Sequence, residues 1–364
     1  MFELSNEQRR CFGLPPVLAS WKKVEVEPNP CDMYYTFAYL DGRRIVKVIQ
    51  VYDEQPGQEC YCEFGVDELL SEDGTTLLPK TQKGKPQNFT STNLRKRTPV
   101  GMRLNYNRGH AALTNYTSGK AFYCSAYDDV EMDSFQSFTR WVDRWCRDTD
   151  ERAQKEIDAF ALQKRHPQKY REGDFFRFRI NRTLYGYGRI LLDFSQMRKK
   201  GIPFWDIFMG KPLCVAVYHA ATENPDLSPD RLAGSMTLPP QMIMDNIFYY
   251  GECEIIGNLP LGKEPWDFPV HYGRTIRMGE QGIRYQCGRT FLELEGEELY
   301  PGFRNGSIGW NLDVRLIVLR ECIAEHSNEP YWRMMPPFRV NQDLRNPRYR
   351  RKLARIREQV GITE

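Results

Sequence analysis

The stretch from Asp133 to Arg165, DSFQSFTRWVDRWCRDTDERAQKEIDAFALQKR, contains neither proline nor glycine and divides a chain that otherwise reads mostly as strands. Within it Phe135, Phe138, Val142, Trp145 and Cys146 follow three- and four-residue steps, the period of one face of an amphipathic helix. The spacing predicts one long or two consecutive helices over 133–165, ending before Pro167. On either side the period falls to two. Residues 1–132 carry the runs YYTFAYLDGRRIVKVIQVY, GTTLLPK, GMRLNYN and KAFYCSAY, and Asp41-Gly42 between two such runs is a hairpin signal. Lys80 to Arg97 is polar, includes Gly84 and Pro86, and reads mainly as loop. Strand signals resume after Arg171 in GDFFRFRINRTLYGYGRILLDF and continue through PLCVAVYHA, EIIGNLPL, RTFLELE and VRLIVLREC. The final stretch, RNPRYRRKLARIREQVG, reads as a short basic helix that starts at Asn346-Pro347 and stops before Gly361.

These patterns predict an α+β fold with two β-rich domains of mainly antiparallel, strongly bent sheets, at 1–132 and 169–325. A helical segment at 133–168 joins them, and a basic tail with a short helix follows at 326–364. A length of 364 residues is enough for two domains that each bury a core. Hydrophobic residues at 41% and charged residues at 27% are ordinary globular values, which argues against disorder.

The amino terminus, MFELSNEQRRCFGLPPV, has no basic segment followed by an apolar run, and no window approaches the ~18 apolar residues of a membrane span. The expectation is a cytoplasmic protein without a membrane partner, so the N-x-[ST] matches at Asn88, Asn115, Asn181 and Asn305 are read as chance. Ten cysteines form no C-x-x-C and are expected to be free thiols. Five histidines, at 110, 166, 219, 271 and 326, form no zinc motif, and neither metal nor cofactor is expected. There is no G-x-S-x-G, no P-loop and no dinucleotide fingerprint, so the expectation is a chain without catalytic activity. The net charge of +3 is unevenly spread: residues 1–325 hold 42 basic against 44 acidic side chains, and residues 326–364 hold 9 against 4.

The most informative segment is Gly173 to Leu192, GDFFRFRINRTLYGYGRILL. Phe176, Phe178 and Ile180 alternate with arginines, a polar turn follows at Asn181-Arg182, and a second strand begins near Leu184. Gly186 and Gly188, between Tyr185, Tyr187 and Arg189, point to close packing or a strongly bent strand. This hairpin, opened by Gly173, Asp174 and Phe176 and followed about seventy residues later by EIIGNLPL with Gly257 and Pro260, resembles the immunity protein 26 family over residues 171–270. The resemblance implies a β-rich protein of a bacterial polymorphic toxin system that protects its own cell by binding a cognate toxin. The long insertion around TENPDLSPDRLAGSMTLPPQ leaves the intermediate strands unplaced, and the first half carries no assigned activity.

Asp174, Tyr185, Tyr187 and Arg189 read either as a cluster at the mouth of a barrel or as residues that cap, pack and pair to hold the fold, and the second reading weighs more. Two acidic clusters stand out, Asp128, Asp129, Glu131 and Asp133, and Glu293, Glu295, Glu297 and Glu298 in FLELEGEELY. Each reads as a solvated edge or as a complement to the basic cleft of a nuclease toxin. With the second cluster as charged rim, surface members of Trp266, Tyr272, Tyr300 and Trp310 are the candidate aromatic anchors. The tail residues Arg345, Arg348, Arg350, Arg351, Lys352, Arg355 and Arg357 are expected to dock on the protein itself or on its partner, with nucleic-acid or regulatory binding as the alternative and a hydrolase of unknown substrate as a third. Oligomeric state is left open by the sequence.

Overall fold

The computed structural model describes residues 2–28, 33–79, 81, 83–128, 130–201, 211–262, 265–274, 282–301, 312, 314–334 and 343–362. The chain divides into two units, Met1–His166 and Pro167–Glu364.

In the first unit, among the described residues, nine strands form one sheet: β1 (Lys22–Glu25), β2 (Tyr35–Asp41), β3 (Arg44–Tyr52), β4 (Cys60–Leu70), β5 (Thr76–Leu78), β6 (Gln87–Asn88), β7 (Val100–Asn107), β8 (His110–Asn115) and β9 (Lys120–Cys124). The order is β1-β2-β3-β4-β7-β8-β9, with β5 paired to the end of β4 and β6 to β5. Asp41-Gly42 turns β2 into β3, with Gly42 at φ +60°, a conformation glycine adopts without strain. Two short helices, α1 (Asn6–Cys11) and α2 (Ser91–Leu94), flank the sheet.

The proline-free stretch forms two helices, α3 (Phe135–Arg147) and α4 (Glu151–Ala161), which start at the caps Ser134 and Asp150. They are built into the first unit's core. Phe138 stacks on Tyr106 with ring centroids 4.4 Å apart, Trp141 on Tyr123 and Trp145 on Phe12, while Ile157 and Phe160 from α4 are buried in the same cluster. The segment expected to connect the domains thus supplies the layer that covers one face of the first sheet.

The second unit holds β10 (Asp174–Arg179), β11 (Tyr185–Asp193), α5 (Phe194–Lys199), β12 (Pro212–Thr222), α6 (Pro229–Ala233), β13 (Gln241–Met244), α7 (Asn246–Tyr249), β14 (Glu254–Asn258), β15 (Val270–Arg274), β16 (Ile283–Cys287) and β17 (Thr290–Leu294). After them come α8 (Leu316–Glu325), α9 (Glu329–Met334), a 3-10 turn at Pro347–Tyr349 and α10 (Arg350–Gln359). Its five-stranded antiparallel sheet has the order β13-β12-β11-β10-β14, so β14 returns to the strand where the sheet began. Register shifts at Phe175/Phe176, Gly186/Gly188 and Ile190/Leu192 bend it, as bulges do. A separate three-stranded sheet, β15-β16-β17, completes an α+β architecture.

The run VRLIVLREC, expected as a strand, is helical from Leu316 onward, in α8. Leu316, Val318, Leu319 and Cys322 are its buried residues, and a short apolar run of this kind fits a buried helix as well as a strand. The basic tail is folded onto the three-stranded sheet. Leu344, Ile356 and Val360 are buried against Val270, Tyr272, Ile283 and Tyr285.

Candidate partner-binding surface

The two elements that carry the family pattern touch. Asp174, 5% exposed, accepts hydrogen bonds from the backbone N–H of Arg171 (2.8 Å) and from Asn258 Nδ2 (2.7 Å). Arg189, 2% exposed, donates through Nη2 to the carbonyls of Leu259 (2.9 Å) and Pro260 (3.1 Å) and lies 4.7 Å over the Phe175 ring. A Cβ on Gly173, at φ +87°, would come within 2.4 Å of the Leu259 carbonyl oxygen, so only glycine fits this contact. A Cβ on Gly257 would meet Pro229 Cγ at 2.6 Å, where α6 packs on β14.

Gly186 and Gly188 stand directly across from Phe178 and Phe176, whose rings lie over them. An added Cβ would come within 2.4 Å and 2.3 Å of those rings. Tyr187 is buried, with its hydroxyl 2.7 Å from Thr222 Oγ1 and donating to the Asn224 carbonyl at 2.9 Å. Half-buried Tyr185 accepts from Arg179 Nη2 at 2.8 Å and packs its ring under that guanidinium. The polar groups of Asp174, Tyr187 and Arg189 are thereby turned inward, where they join backbone segments of the second unit.

The residues named for a partner surface fall into different environments. Glu293 on β17 is exposed and paired with its cross-strand neighbour Arg284 at 2.6 Å. Glu295 and Glu297 are exposed and Glu298 is half-buried. Tyr272 is only 2% exposed: its hydroxyl donates to Gln359 Oε1 (2.6 Å) and accepts from the Leu299 N–H (2.9 Å), tying β15 to the tail and to the acidic loop. It therefore belongs to the interior. Trp266 packs half-buried against the cluster of Leu192, Phe194 and Cys214. Tyr300 is half-buried, with Lys352 Nζ 5.2 Å from its ring centroid. Trp310 lies outside the described residues, as does Asp129 of the first acidic cluster. In that cluster Glu131 and Asp133 are exposed, while Asp128 accepts from the Tyr123 hydroxyl at 3.3 Å.

Among the tail residues, Arg345 is a buried anchor. It pairs with Asp343 at 2.6 Å and donates to the carbonyls of Asp267 (2.5 Å) and Pro240 (2.9 Å). Burial alone would raise the Asp343 carboxyl, yet the Arg345 guanidinium outweighs it and holds that group below the usual carboxylate range.

The sequence reading missed a buried ionic knot in the first unit. Glu63, fully buried, accepts from Arg9 Nε (2.8 Å), from the Tyr61 hydroxyl (2.6 Å) and from Lys47 Nζ. Lys47 also donates to the Pro15 carbonyl, and burial lowers its pKa although Glu63 opposes that shift. Arg9 reaches on to Glu3 at 2.8 Å, so the knot pins the amino-terminal segment to the sheet. The signal was present in the alternation Ile45, Lys47, Ile49, Val51, which puts the lysine on an inward position.

A cleft of about 550 Å³ in the same unit is lined by aliphatic groups such as Leu14, Val46 and Met102, with Arg10 and Asp158 as its charges; its lining holds no His, Cys or Ser. Among the described residues no three His, Cys, Asp or Glu side chains are grouped to hold a metal ion, and no helix is long and apolar enough to cross a membrane.

Compared with known proteins, residues 171–279 match the family described as immunity protein 26. No curated protein and no solved structure matches the chain. The matched span runs from the turn before β10 through β15, and so contains the whole five-stranded sheet and both elements joined by Arg189.

Proposed function

We propose that this chain is an immunity protein that binds and neutralises a cognate toxin of a polymorphic toxin system by non-catalytic occlusion, acting in the cytoplasm. The observation that carries the reading is the match of residues 171–279 to the immunity protein 26 family, which falls on a complete sheet held by its own motif residues. A lobe held together by its own motif residues is what a rigid binding scaffold requires.

The reading extends to a nuclease as the class of toxin. Exposed Glu293, Glu295 and Glu297, with Glu298 beside them, offer carboxylates to a basic, phosphate-recognising cleft, where complementary charge raises the encounter rate and favours one orientation. Tyr300, half-buried just after that rim in sequence, and Trp266, half-buried against the cluster of Leu192, Phe194 and Cys214, are the proposed aromatic anchors.

The test is growth of cells that express the toxin encoded beside this gene, with and without this protein. The expected result is that the protein alone is harmless and that co-expression restores growth. Charge reversal at Glu295, Glu297 and Glu298 should weaken the complex. A complex indifferent to those reversals removes the acidic rim from the account, whereas failure to protect against any adjacent toxin removes the immunity reading.

A further inference from the structure

The helix α10 is held by its apolar face, since Leu353, Ile356 and Val360 pack in the cluster under the three-stranded sheet. Its opposite face is fixed in orientation and strongly basic. Arg350, Arg351 and Arg355 are exposed, Arg348 is exposed in the turn before them, and Glu358 is the single acidic residue of the helix. Arg351 and Arg355, four residues apart, are like charges on one face, an arrangement that costs helix stability unless an anion faces it. Among the described residues none of these four arginines makes an ion pair.

The complement lies on the same lobe. Glu295 and Glu297, both exposed, likewise make no ion pair among the described residues. They are placed beside α10 by contacts other than ion pairs: Gln359 Nε2 donates to the Glu297 carbonyl at 3.0 Å, and Lys352 lies over the Tyr300 ring. Among the described residues no ion pair joins the basic face to Glu295 or Glu297, so both are left to meet complements on another molecule. A twofold rotation about an axis between them exchanges the two, so that each patch of one copy meets the opposite patch of the other.

We propose that this face of α10 docks on the acidic rim at Glu295 and Glu297 of a second copy of this chain, forming a salt-sensitive twofold dimer. The contact is small and charged, which puts it in the transient class. The rim is the one proposed to face the toxin, so the dimer and the toxin complex would exclude each other; the dimer is tested on the purified full-length chain alone.

Sedimentation equilibrium at about 100 μM protein should show a monomer–dimer mixture at about 50 mM salt, with a dissociation constant at least about tenfold higher at about 500 mM, where charges are screened beyond ~4 Å. The variants R351E/R355E and E295K/E297K, each checked for an unchanged melting transition, should separately lose the dimer. Mixed together they should recover it, because the reversed helix of one then faces the reversed rim of the other. A chain that is monomeric at low salt overturns the proposal, as does a dimer that ignores both reversals or a mixture that stays monomeric. Binding of generic DNA by the monomer, lost in R351E/R355E, also overturns it and assigns the face to nucleic acid.

Discussion

Arg189 Nη2 donates to the carbonyl oxygen of Leu259 at 2.9 Å, across 70 residues of chain. This bond, with its companion to Pro260, closes β11 onto the loop that leaves β14 and so joins the two elements of the family pattern. Replacing Arg189 by methionine keeps the contact with Phe175 and leaves two carbonyls without a charged donor. The expected loss is about 3 kcal/mol of stability in the second unit, from charge-assisted bonds of ~1.5–3 kcal/mol each. Denaturant unfolding of the variant checks it, and a loss under about 1 kcal/mol would show that the bonds are dispensable.

Gly188→Val should destabilise by about 1–3 kcal/mol, because a Cβ there meets the Phe176 ring at 2.3 Å and the Ala216 carbonyl oxygen at 2.7 Å. Gly186→Val meets only the Phe178 ring among its nearest contacts and should cost less. If the rings cause the penalty, Phe178→Leu will recover part of the Gly186→Val loss in a double-mutant cycle.

The tail is an integral part of its unit, not an appended arm. Arg345→Ala leaves Asp343 without its partner and two backbone carbonyls unmet, for an expected cost of about 3–5 kcal/mol. Removing the chain from Asp343 onward should be worse, since it uncovers Val270, Tyr272 and Ile283. Limited proteolysis reads this directly: the intact protein should resist cleavage around Asp343, and Arg345→Ala should be cut there.

Stability should fall toward both acid and alkaline pH. On the acid side, the Asp343 carboxyl is held below its ordinary value by Arg345, against the effect of burial. Such a group stabilises the fold fully above its unfolded pKa, and the contribution is lost as pH falls through the lower folded value. On the alkaline side, burial pushes the Cys214 thiol up to about 12. Its contribution is complete below the unfolded value near 9 and lost as pH rises toward 12, which amounts to about 1 kcal/mol at pH 10. Melting temperatures from acid to alkaline pH should show both limbs, with the alkaline limb shallower in Cys214→Ala and the acid limb shallower in Asp343→Asn.

Much of the architecture was legible because it rests on local periodicity. Alternating or apolar runs marked β2, β3, β10 and β12, the Asp41-Gly42 turn marked a hairpin, and the three- and four-residue steps marked α3. What stayed hidden depends on contacts distant in sequence. Lys47 shows on an inward position of β3, but its partner Glu63 and the Arg9 that joins them come from other elements. VRLIVLREC was ambiguous because a short apolar run fits a buried helix as well as a strand. Tyr272 looked like a surface anchor, and only the tail, packing over β15 from far along the chain, makes it interior. Arg189 was recognised from the family pattern, but its acceptors are backbone carbonyls, which no sequence pattern displays.

Under the proposed function this chain binds the toxin encoded beside it tightly enough to leave little toxin free. Isothermal titration of the purified chain with that toxin, inactivated at its catalytic centre, measures this directly. A saturable complex is expected, with a dissociation constant of about 1 nM or tighter, near −12 kcal/mol. Absence of binding at micromolar concentrations, with every adjacent toxin tried, would contradict it.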